Sequence, residues 1–224
     1  MANSPVEVSY EGGVAALVVR RLALLLVVTS IAGCRASASA NAVGPQGLPL
    51  PVPLMLGQQV SVYPLTLVMS DLSLGWADSL VPRREALDKA DSIINAALTQ
   101  RSPEVEWIPP AALRRAASRA PGLLSEPDRI GTAVLRSPSL NRLPDLLASQ
   151  MRNLSGVAGG RLALVPASLV FTKDEVGMGR AELTLVLVDI RTGFVRWRNR
   201  AVGSGTGPWT ALWTALETLT PGLP

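Results

Sequence analysis

The sequence predicts an α/β or α+β domain, in which helices pack on a mixed sheet of about five strands. Three observations support this class. Strand and helix patterns alternate from residue 60 onward in the order β-α-β-α-α-β-β-β-α. A long amphipathic helix is the next predicted element after the first strand and a loop. Leu183, Leu185 and Leu187 alternate with Glu182 and Thr184 shortly before a glycine-containing turn, which indicates a late antiparallel meander.

The first half of the domain supplies two strands and the longest helix. Val60–Met69 is rich in β-branched residues and predicts a strand, in which Pro64 indicates a kink or a sheet edge. Arg83–Gln100 predicts a helix, because its apolar residues recur on one face and Pro82 precedes it. The shorter elements are a strand (Val105–Ile108), a helix (Pro110–Ala120) and one or two helical turns (Asp128–Leu135).

The second half supplies the meander between two helices. The sequence predicts a helix over Pro144–Leu154, broken by the glycines of residues 156–160. The three strands of the meander are Leu162–Phe171, Glu182–Val188 and Phe194–Val202, with a hairpin turn over Asp189–Gly193. We expect residues 203–207, which are mostly glycine, to form a loose connection to a last helix, Pro208–Leu219.

The first 33 residues have the features of a signal peptide. Arg20 and Arg21 precede a ten-residue apolar run, Leu22–Ile31, which is too short to cross a membrane that requires about 20 residues. The run leads into Ile31-Ala32-Gly33-Cys34, which resembles the bacterial lipobox. That resemblance implies removal of residues 1–33 and attachment of lipid, including palmitate, to Cys34. Several acyl chains make such an anchor stable.

The residues after Cys34 indicate where and how the anchored domain lies. By resemblance to enterobacterial sorting, Arg35 in place of an aspartate implies the periplasmic face of the outer membrane. Residues 35–59 contain small residues followed by prolines and glycines, without a periodic pattern. We interpret residues 34–59 as a flexible tether and residues 60–224 as a single domain.

The composition excludes several kinds of chemistry. The chain has no histidine and one cysteine, so it has no Ser-His-Asp triad, no histidine-bound metal and no cysteine-rich zinc site. Its net charge is only +4 over 224 residues, which is not typical of a nucleic-acid-binding protein. We therefore expect no cofactor, no metal, no nucleic-acid partner and no enzymatic activity.

Two stretches of the domain resemble a group of envelope proteins. The opening strand, Val60-Ser61-Val62-Tyr63-Pro64-Leu65, and the strand-turn-strand from Leu183 to Trp197 are similar to segments of the TolB N-terminal domain, LpoB and CsgG. The resemblance implies a non-catalytic module that binds protein partners or helps assembly in the periplasm. The residues themselves name no partner.

Four side chains are candidate partner contacts. Arg196, Arg198 and Arg200 follow each other at every second position, which predicts one shared strand face that can bind an anionic glycan, a lipid headgroup or an acidic patch of a partner. Trp76, in a Gly-Trp-Ala-Asp loop, is the tryptophan that we expect to be most exposed.

Two alternative functions remain open at this point. Five acidic residues surround the first loop and helix, namely Asp71, Asp78, Glu85, Asp88 and Asp91. They permit a carboxylate-dependent cell-wall hydrolase, although acidic residues in early helical turns also complement the helix dipole. The apolar groove expected between sheet and helices permits a carrier of lipid or another small ligand.

Overall fold

A computed structural model describes residues 48–174 and 176–219, which form five α-helices and six strands. The helices are α1 (Val52–Met55), α2 (Arg83–Arg101), α3 (Pro110–Ser118), α4 (Asp145–Ala158) and α5 (Pro208–Glu217). The strands are β1 (Gln59–Val62), β2 (Val68–Ser70), β3 (Glu106–Ile108), β4 (Leu162–Lys173), β5 (Gly179–Asp189) and β6 (Val195–Gly205). None of the described helices combines the length and the hydropathy needed to cross a bilayer.

The six strands form one mixed sheet, which confirms the predicted fold class. The strand order is β3-β1-β4-β5-β6, and β2 also pairs with β4. Three strand pairs are parallel, namely β1–β3, β1–β4 and β2–β4. The strands β4, β5 and β6 form the predicted antiparallel meander. The β5–β6 turn contains Gly193 at φ 76°, a left-handed conformation that glycine adopts without steric cost.

Pro64 explains why the predicted first strand is two strands in the structure. Proline has no N–H to donate to a neighbouring strand, and the chain leaves the ladder between Val62 and Val68. The N–H of Leu65 instead donates to Oδ1 of Asp91 on α2, at 2.8 Å. The chain then rejoins the same strand, β4, as β2.

The sheet separates two hydrophobic clusters. On one face, α1, α2 and α5 cover alternate residues of β4 and β5, including Leu164, Leu183 and Leu185. On the other face, α3, α4 and the short 3-10 helix Thr132–Arg136 cover the residues between them, including Ala163, Val165 and Val186. Both faces are therefore covered near the middle of the sheet, as expected for long strands with apolar side chains on both sides.

The glycines after residue 202 are part of a strand, and the prediction of a loose connection there is wrong. Gly203 and Gly205 belong to β6 and pair with Ala181 and Gly179 of β5. A Cβ atom on Gly203 would collide with the backbone of α5 at Ala215. Glycine is needed here because α5 lies directly on the strand backbone, not because the chain turns.

The helix α4 also continues further than its glycines suggest. It runs to Ala158 and includes Gly156, so the predicted break at Gly156 is wrong. The helix ends at Gly159, which has φ 89°. A Cβ on Gly156 would meet no atom within 4 Å, so packing does not require this glycine.

Part of the expected tether packs on the domain. Leu50 and Met55 are buried in the cluster that contains α2 and α5, and Gln59 begins β1. The N–H of Leu50 donates to the carbonyl of Leu219, at 2.8 Å. From Leu50 onward, these residues are therefore held against the folded domain.

Candidate partner-binding face

One half of the sheet is covered on only one side. On the side of α2 and α5, the side chains at the far ends of β4, β5 and β6 are at most 1% exposed: Leu169, Phe171, Ala181, Leu183 and Ala201. On the opposite side they are half-buried or exposed: Met69, Val170, Thr172, Arg180, Glu182, Thr184, Arg198, Arg200, Val202 and Ser204. The pairing of the strands places these ten residues on the same side, which we call the open face.

The open face exists because the strands are longer than the layer of helices that covers them. The strands β4, β5 and β6 have 12, 11 and 11 residues. The cluster beneath α3 and α4 includes Ala167 of β4 and Val186 of β5, but no later residue of β4 and no earlier residue of β5. Beyond these two positions the side chains on this side are a mixture of charged, hydroxylated and apolar residues, and all except the buried Ser168 are partly exposed.

Arg180, Glu182 and Arg200 form an ion ladder across two strands of the open face. Nη2 of Arg180 lies 2.8 Å from Oε1 of Glu182, and Nη1 of Arg200 lies 3.0 Å from Oε2 of the same carboxylate. One negative charge therefore serves two positive charges. The face keeps an excess of positive charge within a partly desolvated surface, where charges interact more strongly than in bulk water.

Arg198 fixes the border of the open face. Its Nη1 donates to the carbonyl of Pro138 at 2.8 Å, and its Nη2 donates to the carbonyl of Leu140 at 2.7 Å. Partial burial lowers the pKa of Arg198 below its ordinary value. These bonds hold the segment after the 3-10 helix Thr132–Arg136 against β6, and Arg136 of that helix is exposed.

A groove of about 580 Å³ runs between residues 134–138, at the border of the open face, and the strands. This border contributes four residues: Val134, Arg136, Ser137 and Pro138. The sheet contributes five: Ser168, Val170, Glu182, Thr184 and Arg200. The groove thus combines short β-branched side chains with arginine, a mixture suited to recognition of a polypeptide surface.

Arg196 does not share the face of the other two predicted arginines. The strand pairing shifts between Leu187 and Val188, so Arg196 lies at a bulge in β6. It lines a separate groove of about 130 Å³ together with Leu54 and Leu162. The prediction that Arg196, Arg198 and Arg200 share one face is therefore wrong for Arg196, because the bulge interrupts the alternation of side chains.

Trp76 is half-buried rather than projecting into solvent. Its ring meets the ring of Phe171 edge-on, with centroids 5.6 Å apart. It also covers Gly179, where an added Cβ would collide with the indole. Trp76 therefore closes the core at one end of the sheet, on the side opposite the open face, and its role as a partner contact stays a prediction.

The five acidic residues of the expected cluster are divided in the structure. Asp71 accepts the N–H of Ser73 at 2.8 Å, and this hydrogen bond lowers the pKa of Asp71. Asp78 and Glu85 are exposed. Only Asp88 and Asp91 come together, and Asp128 joins them from a part of the chain that the sequence pattern did not indicate.

Arg114 is the centre of this second charged site. Its Nη2 lies 3.2 Å from Asp88, 2.8 Å from Asp91 and 2.7 Å from Asp128. Arg84 contacts Asp88 at 2.9 Å and Asp128 at 3.3 Å. Nε of Arg114 also donates to Oδ2 of Asp128, and the N–H of Leu65 donates to Oδ1 of Asp91. All six oxygens of the three carboxylates therefore have a hydrogen-bond or ion-pair partner.

The environment shifts the pKa values of Asp91 and Asp128 in opposite directions. Burial raises the pKa of Asp91 to about 6, against the lowering effects of the Leu65 N–H and of Arg114. Burial also acts on Asp128, but hydrogen bonds and positive charge from Arg114 and Arg84 outweigh it and lower the pKa. A groove of about 670 Å³ adjoins Asp128, yet no carboxylate oxygen of this site is without a partner to act on a substrate.

The lipobox lies outside the described residues, at Ile31, Ala32, Gly33 and Cys34. Within residues 48–174 and 176–219, no group of three or more acidic or sulfur-containing side chains is arranged to hold a metal ion. The space between sheet and helices that a carrier would use is occupied, in this part of the chain, by fully buried side chains such as Leu164 and Leu169.

Comparison with known proteins gives likenesses of fold only. No protein-family model and no curated protein matches the chain. It is similar to the solved C-terminal domain of LpoB from Salmonella enterica, with 15% identity, 67% of this chain and 85% of that one covered, and a TM-score of 0.39. A variant of the PelC dodecamer from Paraburkholderia phytofirmans gives 14% identity, coverage of 79% and 94%, and a TM-score of 0.39.

A third solved structure is lipoprotein GNA1162 from Neisseria meningitidis. It shares 17% identity over 66% of this chain and 81% of its own, with a TM-score of 0.29. Identities and scores this low say nothing about what the chain binds. Any function must therefore be argued from its own residues.

Proposed function

We propose that this chain is a lipid-anchored cell-envelope protein that acts as a non-catalytic interaction or assembly module in the periplasm. The observation that carries the proposal is the open face. It is a partly apolar, arginine-rich surface on one side of the far ends of β4, β5 and β6, whereas the side chains on the opposite side of these strand ends are buried. Such a surface on a folded domain is typical of a protein contact.

The charged site at Arg114 supports a non-catalytic role. A glycosidase needs one carboxyl group to donate a proton and a second to act as base or nucleophile, both directed at the substrate. In this site, Asp88, Asp91 and Asp128 direct their oxygens at Arg114, Arg84 and the Leu65 N–H. The arrangement ties α2, α3 and the β1–β2 connection together, which is a structural task.

The lipid anchor rests on the lipobox residues Ile31, Ala32, Gly33 and Cys34. Residues 35–47 separate the lipidated cysteine from the first described residue, Leu48. Thirteen residues of extended chain span at most about 45 Å. The domain therefore stays within about that distance of the membrane, proposed to be the outer membrane, and a partner must reach it there.

Labelling with radioactive palmitate tests the anchor. The wild-type chain should incorporate label and fractionate with membranes, whereas Cys34→Ser should do neither. Ser37→Ala is a matched control, because it changes a nearby small residue and leaves the thiol in place. Labelling and membrane retention of Cys34→Ser would refute the anchor.

Affinity isolation from detergent-solubilised envelopes tests the interaction role. The tagged wild-type chain should retain a stoichiometric protein partner, and Thr184→Glu on the open face should lose it. Arg115→Glu is the control, because Arg115 is exposed on α3, away from the open face. Absence of any partner, or equal retention by Thr184→Glu, would contradict the role of this face.

A further inference from the structure

The open face carries an excess of positive charge that its own residues do not neutralise. Arg180, Arg198 and Arg200 belong to it and Arg136 lies on its border, whereas Glu182 is the one acidic side chain among the residues that define it. Glu182 already accepts from two guanidinium groups. A ligand that completes this surface must therefore bring negative charge, which an acidic polypeptide supplies as carboxylates.

The open face has the length of one helix. About six residues along each strand at roughly 3.3 Å per residue give a length of about 20 Å. A helix of about 13 residues has the same length. Val170 and Val202 lie on either side of Glu182 across the three strands, so a helix lying there would bury both valines, as α3 and α4 bury the neighbouring half of the sheet.

Residues 35–47 do not supply negative charge to the open face, because they contain one arginine and no aspartate or glutamate. A second copy of the same face would bring arginine against arginine, and like charges across an interface are unfavourable. An acidic element of another polypeptide is therefore the occupant that best complements the charge of the open face.

We propose that the open face binds an acidic amphipathic helix of another envelope protein. Its carboxylates lie on Arg136 and Arg200, and its apolar side lies on Val170 and Val202. The inference rests on the proposed interaction role and names the class of partner. Dissolved salt screens the attraction between exposed charges at the rim of an interface, so the complex should weaken as the salt concentration is raised.

Site-specific photo-crosslinking in cells that produce the full chain tests this. Benzoylphenylalanine is placed at Val170 on the open face, and in separate strains at Leu72 and at Thr214, which are exposed elsewhere. Crosslinked peptides are identified by mass spectrometry. At Val170 we expect a peptide from another protein that is rich in aspartate and glutamate and has helical periodicity.

Charge variants in the Val170 strain decide whether arginine causes the contact. Arg136→Glu should lower the yield of that crosslink at least tenfold, and Arg115→Glu on α3 should leave it unchanged. Thr184→Glu is a second variant that places a carboxylate opposite Arg200, its neighbour across the strands, and should act in the same direction. Equal yields from Arg136→Glu and wild type would overturn the inference.

The remaining outcomes separate this inference from the proposed function. Crosslinks from Val170 to a second copy of the chain, to lipid or to a non-acidic segment would overturn it. Protein crosslinks from Leu72 or Thr214 without any from Val170 would overturn it and leave the interaction role standing. Absence of crosslinks from all three positions would count against both.

Discussion

Asp91→Asn should change how the stability of the domain depends on pH. Asp91 is 5% exposed, and burial raises its pKa from 3.8 to about 6 in the folded protein. Below pH 3.8 the carboxyl group is protonated in both the folded and the unfolded chain. Between pH 3.8 and 6 the unfolded chain releases its proton and the folded chain retains it, so the stabilising contribution is lost as pH rises.

The shift of about two pKa units corresponds to about 3 kcal/mol. Relative to Asp91→Asn, the wild-type free energy of unfolding should therefore fall by up to about 3 kcal/mol as pH rises from 4 to 6.5. The asparagine cannot titrate, but its amide oxygen still accepts the Leu65 N–H. Urea unfolding of the unlipidated Cys34→Ser chain, followed by circular dichroism at several pH values, measures the difference.

Asp71→Asn provides a control of the opposite sign. The N–H of Ser73 lowers the pKa of Asp71, so its contribution is present above the ordinary pKa of the carboxyl group and is lost as pH falls. The reasoning about Asp91 fails if the difference between wild type and Asp91→Asn is the same at pH 4 and pH 6.5. A rise with pH would mean that Arg114 keeps Asp91 ionised despite its burial.

Three further predictions concern packing and the border of the open face. Gly203→Ala should destabilise the domain by about 3 kcal/mol in urea unfolding, at the upper end of overpacking costs, because its Cβ meets the backbone of α5. Gly156→Ala, the control, should be neutral or stabilise the domain by about 0.5–1 kcal/mol. Equal destabilisation by Gly203→Ala and Gly156→Ala would contradict the close packing of α5 on Gly203. Arg198→Ala should cost about 2 kcal/mol of the bonds to Pro138 and Leu140, measured as a lower Tm, with Arg198→Lys recovering only part. Gly179→Ala should cost less stability in a Trp76→Ala background than in wild type, because the indole is what the new methyl group meets; equal costs would refute the contact.

The parts of the fold that could be predicted are those written in local periodicity. The alternation around Leu183 and the turn at Gly193 specify a hairpin, since each depends on residues close together in sequence. Gly203 and Gly205 could not be interpreted in this way. Glycine ordinarily marks a turn, and only the position of α5 explains why these two lie within a strand.

The open face was predicted only in part, because only some of its residues follow from local periodicity. Arg198 and Arg200 follow from their spacing, but the bulge that removes Arg196 from the face leaves no trace in the side-chain pattern. Glu182 already belongs to the predicted strand, and Arg180 could have been found by extending the alternation of β5 two residues towards its start. Arg136 could not, because the strand residues that it meets at the groove are more than 30 positions away in the sequence.

The two charged sites of the domain use the same residue types for different purposes. At Arg114, three carboxylates face two guanidinium groups, and every carboxylate oxygen has a partner. Such a closed network contributes to the specificity of the fold and offers little to a ligand. On the open face, the one carboxylate, that of Glu182, faces Arg180 and Arg200, with Arg136 beside them. The surplus of donors, not the presence of charge, distinguishes the open face, which we propose as a partner-binding surface, from the closed network at Arg114.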